Sequence, residues 1–396
     1  MTLCSSALVA VLLLGNAANA QDWGDWYDSY KMDYTYDTTA GNGPANWGGV
    51  DGIGEWVDFD VTGRIAALGN QCDVGTRPSP ILLDPGTGLN QQFYCQDLHE
   101  PLPRQINPDV DCSRWEVTFA ITPYALKTYF PLSDGYCLRP SLILSGRMDP
   151  YVLLWMEIHT RSEHAIAGKR YDAEIQMIHA GTGREAGQLM TISLMVDASA
   201  VDDDLELEWM LQQWRETAQT EREYCNGGGD RKRRLRSPQQ PDLSQYMRNG
   251  NFSSYKETTS RNQARNLQFT TSSCRTDRFG RGCEPLGPRR RMFPYNLWQS
   301  IWYYGYSGSL SAPPCSEIVQ WRVLDEPLHI SRRQYKELTF LLSQSLDDNC
   351  QRNTATDNNG ENRRPIQESV NSAFQGVYYH CTLSNFGHFV YSPEDQ

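Results

Sequence analysis

At 396 residues, with 39% hydrophobic and 11% aromatic content, the chain carries ample material for a packed core and is not globally disordered. Its net charge of −12 excludes a general polyanion binder, so nucleic acid is not an expected partner. Eleven cysteines with no C-x-x-C pair exclude a zinc ribbon or a thioredoxin-type redox site.

The chain opens on a short apolar run, Ala7 to Gly15, followed by Ala18-Asn19-Ala20 before Gln21. This pattern predicts a cleaved signal peptide over 1–20. The run is too short to span a bilayer, and no later segment supplies the roughly 20 apolar residues that a transmembrane helix needs. Removing Cys4 from eleven leaves ten cysteines, an even number that reads as disulfides in an exported chain. The expected location is therefore extracellular or the lumen of the secretory pathway. Asn251-Phe-Ser253 is a glycosylation sequon, which fits that location.

Residues 21–37, acidic and rich in Tyr and Trp, form an expected extension on the surface of a domain that runs from 38 to 392. From Ile81 to Val196 short β-type runs dominate. Strict alternation over 151–159 predicts a strand with Leu153, Trp155, Glu157 and His159 on one face. By the same arithmetic Glu174, Gln176 and Ile178 share a face of a second strand. An Asp-rich start followed by Leu205, Trp209, Met210 and Trp214 predicts an amphipathic helix over Asp202–Thr217. Ser331-Arg-Arg-Gln334 has the form of a capping box and starts a second helix.

Between these helices the composition changes. A basic, Gly/Ser/Asn/Arg-rich insertion at about 220–291 carries Arg231-Lys-Arg-Arg234 and Arg289-Arg-Arg291. Three readings stay open for it: a solvated loop pinned by Cys225, Cys274 and Cys283, proteolytic nicking after Arg234, or contact with an anionic polymer.

Five segments stand in order: Asn42-Gly-Pro-Ala-Asn-Trp47, Thr76-Arg-Pro-Ser-Pro-Ile81, the two strands above, Tyr306-Ser-Gly-Ser-Leu-Ser-Ala-Pro-Pro-Cys315-Ser-Glu317-Ile-Val-Gln-Trp321, and Asn362-Arg-Arg-Pro-Ile-Gln367. Taken together they resemble the α-carbonic anhydrase family. The resemblance implies a mainly β fold with short helices: a twisted, mostly antiparallel, ten-stranded sheet with a conical cavity. It also implies a disulfide between Cys72 and Cys315.

The resemblance further implies a Zn²⁺ site with three histidines and a bound water of pKa roughly 7 that attacks carbon dioxide to give bicarbonate. Only His159 stands at such a position; Glu157 and Gln176 occupy the other two. An amide oxygen is a poorer ligand than imidazole for a borderline-soft ion, and a carboxylate cancels part of the metal's charge. Zinc is therefore doubtful. Three states stay open: an empty wet cavity in which Glu157 bonds Gln176, a harder divalent metal on Glu157, His159 and Gln176, or functional zinc.

The resemblance assigns further roles. Glu163 and Ser311 match the pair that orients the metal-bound hydroxide, and Glu174 matches the carboxylate behind the third ligand. Ile178, Leu310 and Trp321 match the apolar wall for carbon dioxide, Tyr36 a solvent-network tyrosine, and Ser113 the proton-shuttle position. His164 and His179 match structural histidines that face away from the metal, while His99, His329, His380 and His388 have no ligand-like spacing.

The expectation is thus a catalytically impaired relative acting as an extracellular binding or interaction protein, its partner a protein, a matrix polymer or a mineral surface. The alternative is a metal-dependent lyase that hydrates carbon dioxide reversibly.

Overall fold

In the computed structural model the residues described are 33–51, 64–65, 67–84, 97–101, 117–130, 140–145, 148–223, 225–226, 294–347, 349–367 and 378–383. The expectations for 1–20, Ser113, Asn251, Cys274, Cys283, His388 and most of the basic insertion lie outside them.

Fourteen strands are present among these residues, eleven of them in one sheet. Its middle is built from β6 (Tyr151–Thr160), β9 (Ala173–Gly181) and β10 (Leu189–Ala200), with β4 (Leu126–Tyr129) on one side and β12 (Val319–Leu324) on the other. β4, β6, β9 and β10 pair antiparallel, whereas β10 and β12 run parallel. The fold is mainly β with few helices and the sheet mostly antiparallel, as expected, with one strand more than the ten implied.

Every residue of β9 is buried, which happens only when both faces of a strand are covered. One face carries Ala173, Ile175 and Met177 onto the helices; the other carries Glu174, Gln176 and Ile178, as the alternation predicts. The helices that cover the first face are α1 (Leu205–Glu223) and α2 (Arg332–Leu342). On α1, Leu207, Met210, Leu211, Trp214 and Ala218 recur at helical spacing and bury in the same core as β10. Asp204 Oδ1 accepts from the Leu207 N–H at 2.8 Å and caps its start. The helix runs six residues beyond the predicted Thr217, so 220–223 are helical and do not belong to the insertion. On α2 the predicted capping box forms, with Ser331 and Gln334 exchanging bonds.

Strand β6 departs from simple alternation. Its pairing with β9 shifts register between Leu153 and Trp155. Leu153, Met156 and Ile158 therefore enter the helix-side core, while Leu154 and Trp155 both lie on the opposite side. Leu153 does not share a face with Glu157 and His159: a β-bulge adds one residue and resets the period.

The extension also differs from expectation at its end. Tyr36 is 2% exposed, its N–H donates to the Ala355 carbonyl at 2.7 Å, and its ring meets Trp47 edge-on at 5.6 Å. Residues 33–37 are held in the domain because burying two aromatic rings outweighs the polarity of the aspartates beside them.

Two disulfides join described residues: Cys72–Cys315, as implied, and Cys225–Cys350. Cys225 is thus anchored to the loop after α2. Gly308 is required by proximity: a Cβ there would lie 2.3 Å from Ser79 Oγ. No helix of the described residues is long and apolar enough to cross a membrane.

Candidate functional site

The sheet places one row of side chains in register. Lys127 on β4 pairs with Glu157 on β6, Glu157 with Gln176 on β9, and Gln176 with Ser193 on β10. Cross-strand partners share a face, so Lys127, Glu157 and Gln176 form the floor of a cavity of about 90 Å³, with Ser193 turned to Glu174. His159, two residues beyond Glu157, completes the floor. The walls include Tyr34, Tyr36, Tyr124, Trp155, Ile178 and Trp321, with Leu310 and Ser311 from the loop before Cys315. Ile178, Leu310 and Trp321 therefore line one cavity.

Glu157 faces Lys127 and not Gln176. Its Oε2 lies 3.4 Å from Lys127 Nζ and accepts from Trp155 Nε1 at 3.0 Å, while Oε1 is 3.4 Å from His159 Nε2. Burial would raise this carboxyl, but Lys127, His159 and Trp155 outweigh it and hold it down at about 2. His159 lies between carboxylates. Its Nδ1–H donates to the Asn362 carbonyl at 2.6 Å, and Glu163 Oε1 is 3.7 Å from the same nitrogen. Burial opposes its charge, yet Glu163, Glu157 and the Asn362 carbonyl push it up to about 10.

Gln176 is fixed by its amide nitrogen, which donates to Glu163 Oε2 at 2.9 Å and to Glu174 Oε1 at 3.0 Å. The Glu157–Gln176 bond expected of an empty cavity does not form among the described residues. Glu163 is fully buried, and its second oxygen accepts from the Arg364 N–H at 2.9 Å. No hydrogen bond joins Glu163 to Ser311 among the described residues. Ser311 lines the cavity, but the pair does not form.

Behind Gln176 the polar network continues. Glu174 accepts from Ser193 Oγ at 2.7 Å and joins His164 Nδ1 at 2.8 Å, and His164 Nε2 reaches Tyr306 Oη at 2.6 Å. Burial would raise Glu174, but His164 and Ser193 hold it down at about 2. His179 bonds the Met177 carbonyl and Tyr295 Oη on the helix side, and burial pushes it down to about 3. Neither His164 nor His179 lines the cavity. His99 is buried beside Arg322 and Trp298, His380 stacks on Tyr304, and neither lines the site.

Sequence reading misses three contributors. Lys127 gives no signal until its strand is paired with β6. Arg364 and Asn362 belong to a segment quoted above, but their contacts with Glu163 and His159 bridge about 200 residues of chain. Asn362 also accepts from the Thr160 N–H at 2.6 Å and donates to the Tyr124 and Ile158 carbonyls. Among the described residues no group of three or more His, Cys, Asp or Glu side chains is arranged to hold a metal ion.

Comparison with known proteins agrees with the segment resemblance. The eukaryotic-type carbonic anhydrase family profile matches residues 255–373, a span that includes Tyr306–Trp321 and Asn362–Gln367 but not Glu157 or Gln176. Carbonic anhydrase 7 of Mus musculus is 52% identical over 46 residues, 12% of this chain and 17% of that protein. A carbonic anhydrase of Nostoc sp. is 20% identical over 304 residues, 76% of this chain and 80% of that protein. The chain thus spans only about a sixth of the mouse relative it matches. An α-carbonic anhydrase of Thermovibrio ammonificans, solved with sulfanilamide, superposes with a TM-score of 0.48 at 18% identity, covering 89% of this chain and all of that one.

Proposed function

We propose, for a chain that belongs to the α-carbonic anhydrase family, that its cavity is not a working zinc centre and that the protein acts as an extracellular binding or interaction protein. The observation that carries this reading is the hydrogen bond from Gln176 to Glu163 at 2.9 Å. The carboxylate expected to orient a nucleophile has both oxygens occupied, one by Gln176 and one by the Arg364 backbone. Ser311 is left outside that relay, so the expected pair does not align a hydroxide for attack.

The donor set supports the same reading. Glu157 is paired with Lys127, the Gln176 amide nitrogen is spent on two carboxylates, and His159 sits where its charged form is favoured. An imidazolium donates hydrogen bonds and cannot ligate a metal. These residues do not fit zinc.

Export fits the two disulfides joining described residues and the sequence reading of 1–20 as a signal and Asn251 as a glycosylation site. The partner is an extracellular protein, matrix polymer or mineral surface.

A second reading rests on one contact. The Asn362 carbonyl holds His159 by Nδ1, which turns Nε2 toward Glu157 and the cavity. A metal on Glu157, His159 and Gln176 would make the protein a lyase for carbon dioxide and bicarbonate. Elemental analysis of purified protein, followed by a hydration assay with and without added Zn²⁺, separates the two. The binding reading expects a folded, metal-free, inactive protein. Stoichiometric metal with activity lost in His159→Ala would replace it with the lyase.

A further inference from the structure

Lys127 is an unusual residue to find on the floor of a cavity. It is 7% exposed, lies opposite Glu157 in register, and holds its ammonium 3.4 Å from Glu157 Oε2 and 5.2 Å from the centre of the Trp155 ring. Burying an ammonium is strongly unfavourable unless an opposite charge compensates it, and here Glu157 is that charge. The ring face of Trp155 adds a smaller attraction.

We propose that Lys127 is the resident cation of this cavity: it supplies at Glu157 the positive charge that a metal ion would otherwise bring, and it shuts divalent metals out. The proposal rests on the reading of the cavity as metal-free and names the residue that enforces it. Replacing two histidines by Glu157 and Gln176 weakens a site, but weakened sites still scavenge metal. A fixed ammonium beside the donors does more. A dication held at Glu157 and His159 would stand within a few ångströms of Nζ, and its repulsion is twice that of a single charge and little screened by solvent.

A purely structural role for Lys127 makes a different prediction. If the ammonium only neutralises Glu157, it becomes irrelevant to metal once Glu157 is gone. The test therefore puts the histidines back. Full-length protein is prepared as wild type, as Glu157→His with Gln176→His, and as that double variant with Lys127→Met added. Each is titrated with Zn²⁺ against a competing chelator at neutral pH, with thermal unfolding to show that it is folded.

Wild type is expected to bind no zinc. The triple variant is expected to bind one equivalent at least about 100-fold more tightly than the double, and Lys127→Arg in the double background, which keeps the charge, is expected to stay as weak as the double. If the Met variant fails to fold, Lys127→Gln carries the same comparison and the same expected gain. A double variant that binds zinc as tightly as the triple would overturn the role of Lys127 while leaving the metal-free reading standing. Stoichiometric zinc in the wild-type protein would overturn that reading itself.

Discussion

Gln176 and Glu163, both buried, are bound side chain to side chain across 2.9 Å. The same amide nitrogen reaches Glu174 at 3.0 Å, so one neutral group separates two buried carboxylates. Its two donated hydrogens are what allow Glu163 and Glu174 to sit so close together. A neutral donor is needed at this place whether or not any chemistry occurs.

Gln176→Glu tests this directly. A third carboxylate would replace the donor, leaving two like-charged contacts at about 3 Å in a buried site. The expected cost at pH 7 is about 3–5 kcal/mol, shrinking toward pH 5 as the new side chain takes up a proton. Urea unfolding at the two pH values measures it. A variant as stable as wild type at pH 7 would show that the amide is not the spacer.

The histidines and Glu157 set a window of greatest stability. His159 is raised from 6.5 to about 10, so its contribution is complete below pH 6.5 and is lost as pH rises through about 10. Glu157 is lowered from 4.5 to about 2, so its contribution is complete above 4.5 and is lost as pH falls through about 2. His179 is lowered from 6.5 to about 3, which makes its neutral form the stabilising one above 6.5 and erodes stability on acidification toward 3. The three together place the optimum near pH 6.5, with losses on the order of several kcal/mol at either extreme. The His159 imidazole signals in NMR should show a doubly protonated ring at about pH 8; a ring titrating near 6.5 contradicts the geometry described for it.

Much of this site is legible in the sequence. Glu174, Gln176 and Ile178 fall on one face because strand periodicity is two, and no tertiary contact is needed to see it. Ser331 and Gln334 announce a helix start for an equally local reason. The β6 bulge is not legible, since one extra residue between Leu153 and Trp155 leaves no mark in an apolar run. Lys127 is silent for another reason: its meaning depends on which strand lies beside β6, and sheet order is a long-range property. The partners of Glu163 differ in kind from the sequence expectation. The family resemblance implies that Glu163 and Ser311 meet, but Gln176, which stands where a histidine is expected, brings donors that compete for the same carboxylate.

The Cys225–Cys350 bridge closes a segment with a sequence separation of 125 and ties the end of α1 to the loop after α2. Replacing both cysteines by alanine should cost about 2–5 kcal/mol, mostly by freeing the unfolded chain. Because neither cysteine lines the cavity, the His159 NMR signals of the double variant should be unchanged at about pH 7. A shifted His159 resonance would mean that the loop carrying Asn362 depends on the bridge for its position.

Asn362→Ala asks how far one side chain holds the site. The residue is fully buried, and its amide satisfies the Thr160 N–H at 2.6 Å together with the carbonyls of Tyr124 and Ile158. Removing it takes away the side-chain acceptor of the Thr160 N–H on β6 and one donor each to the Tyr124 and Ile158 carbonyls. A loss of about 2–4 kcal/mol in urea unfolding is expected. The bond to His159 Nδ1 comes from the Asn362 backbone and not its amide. It therefore survives if the segment stays in place, and His159 should then keep its high pKa in the variant. If the pKa of His159 falls back toward 6.5 while the protein remains folded, the side chain of Asn362, and not the carboxylates around the ring, is what sets the charge of the cavity floor.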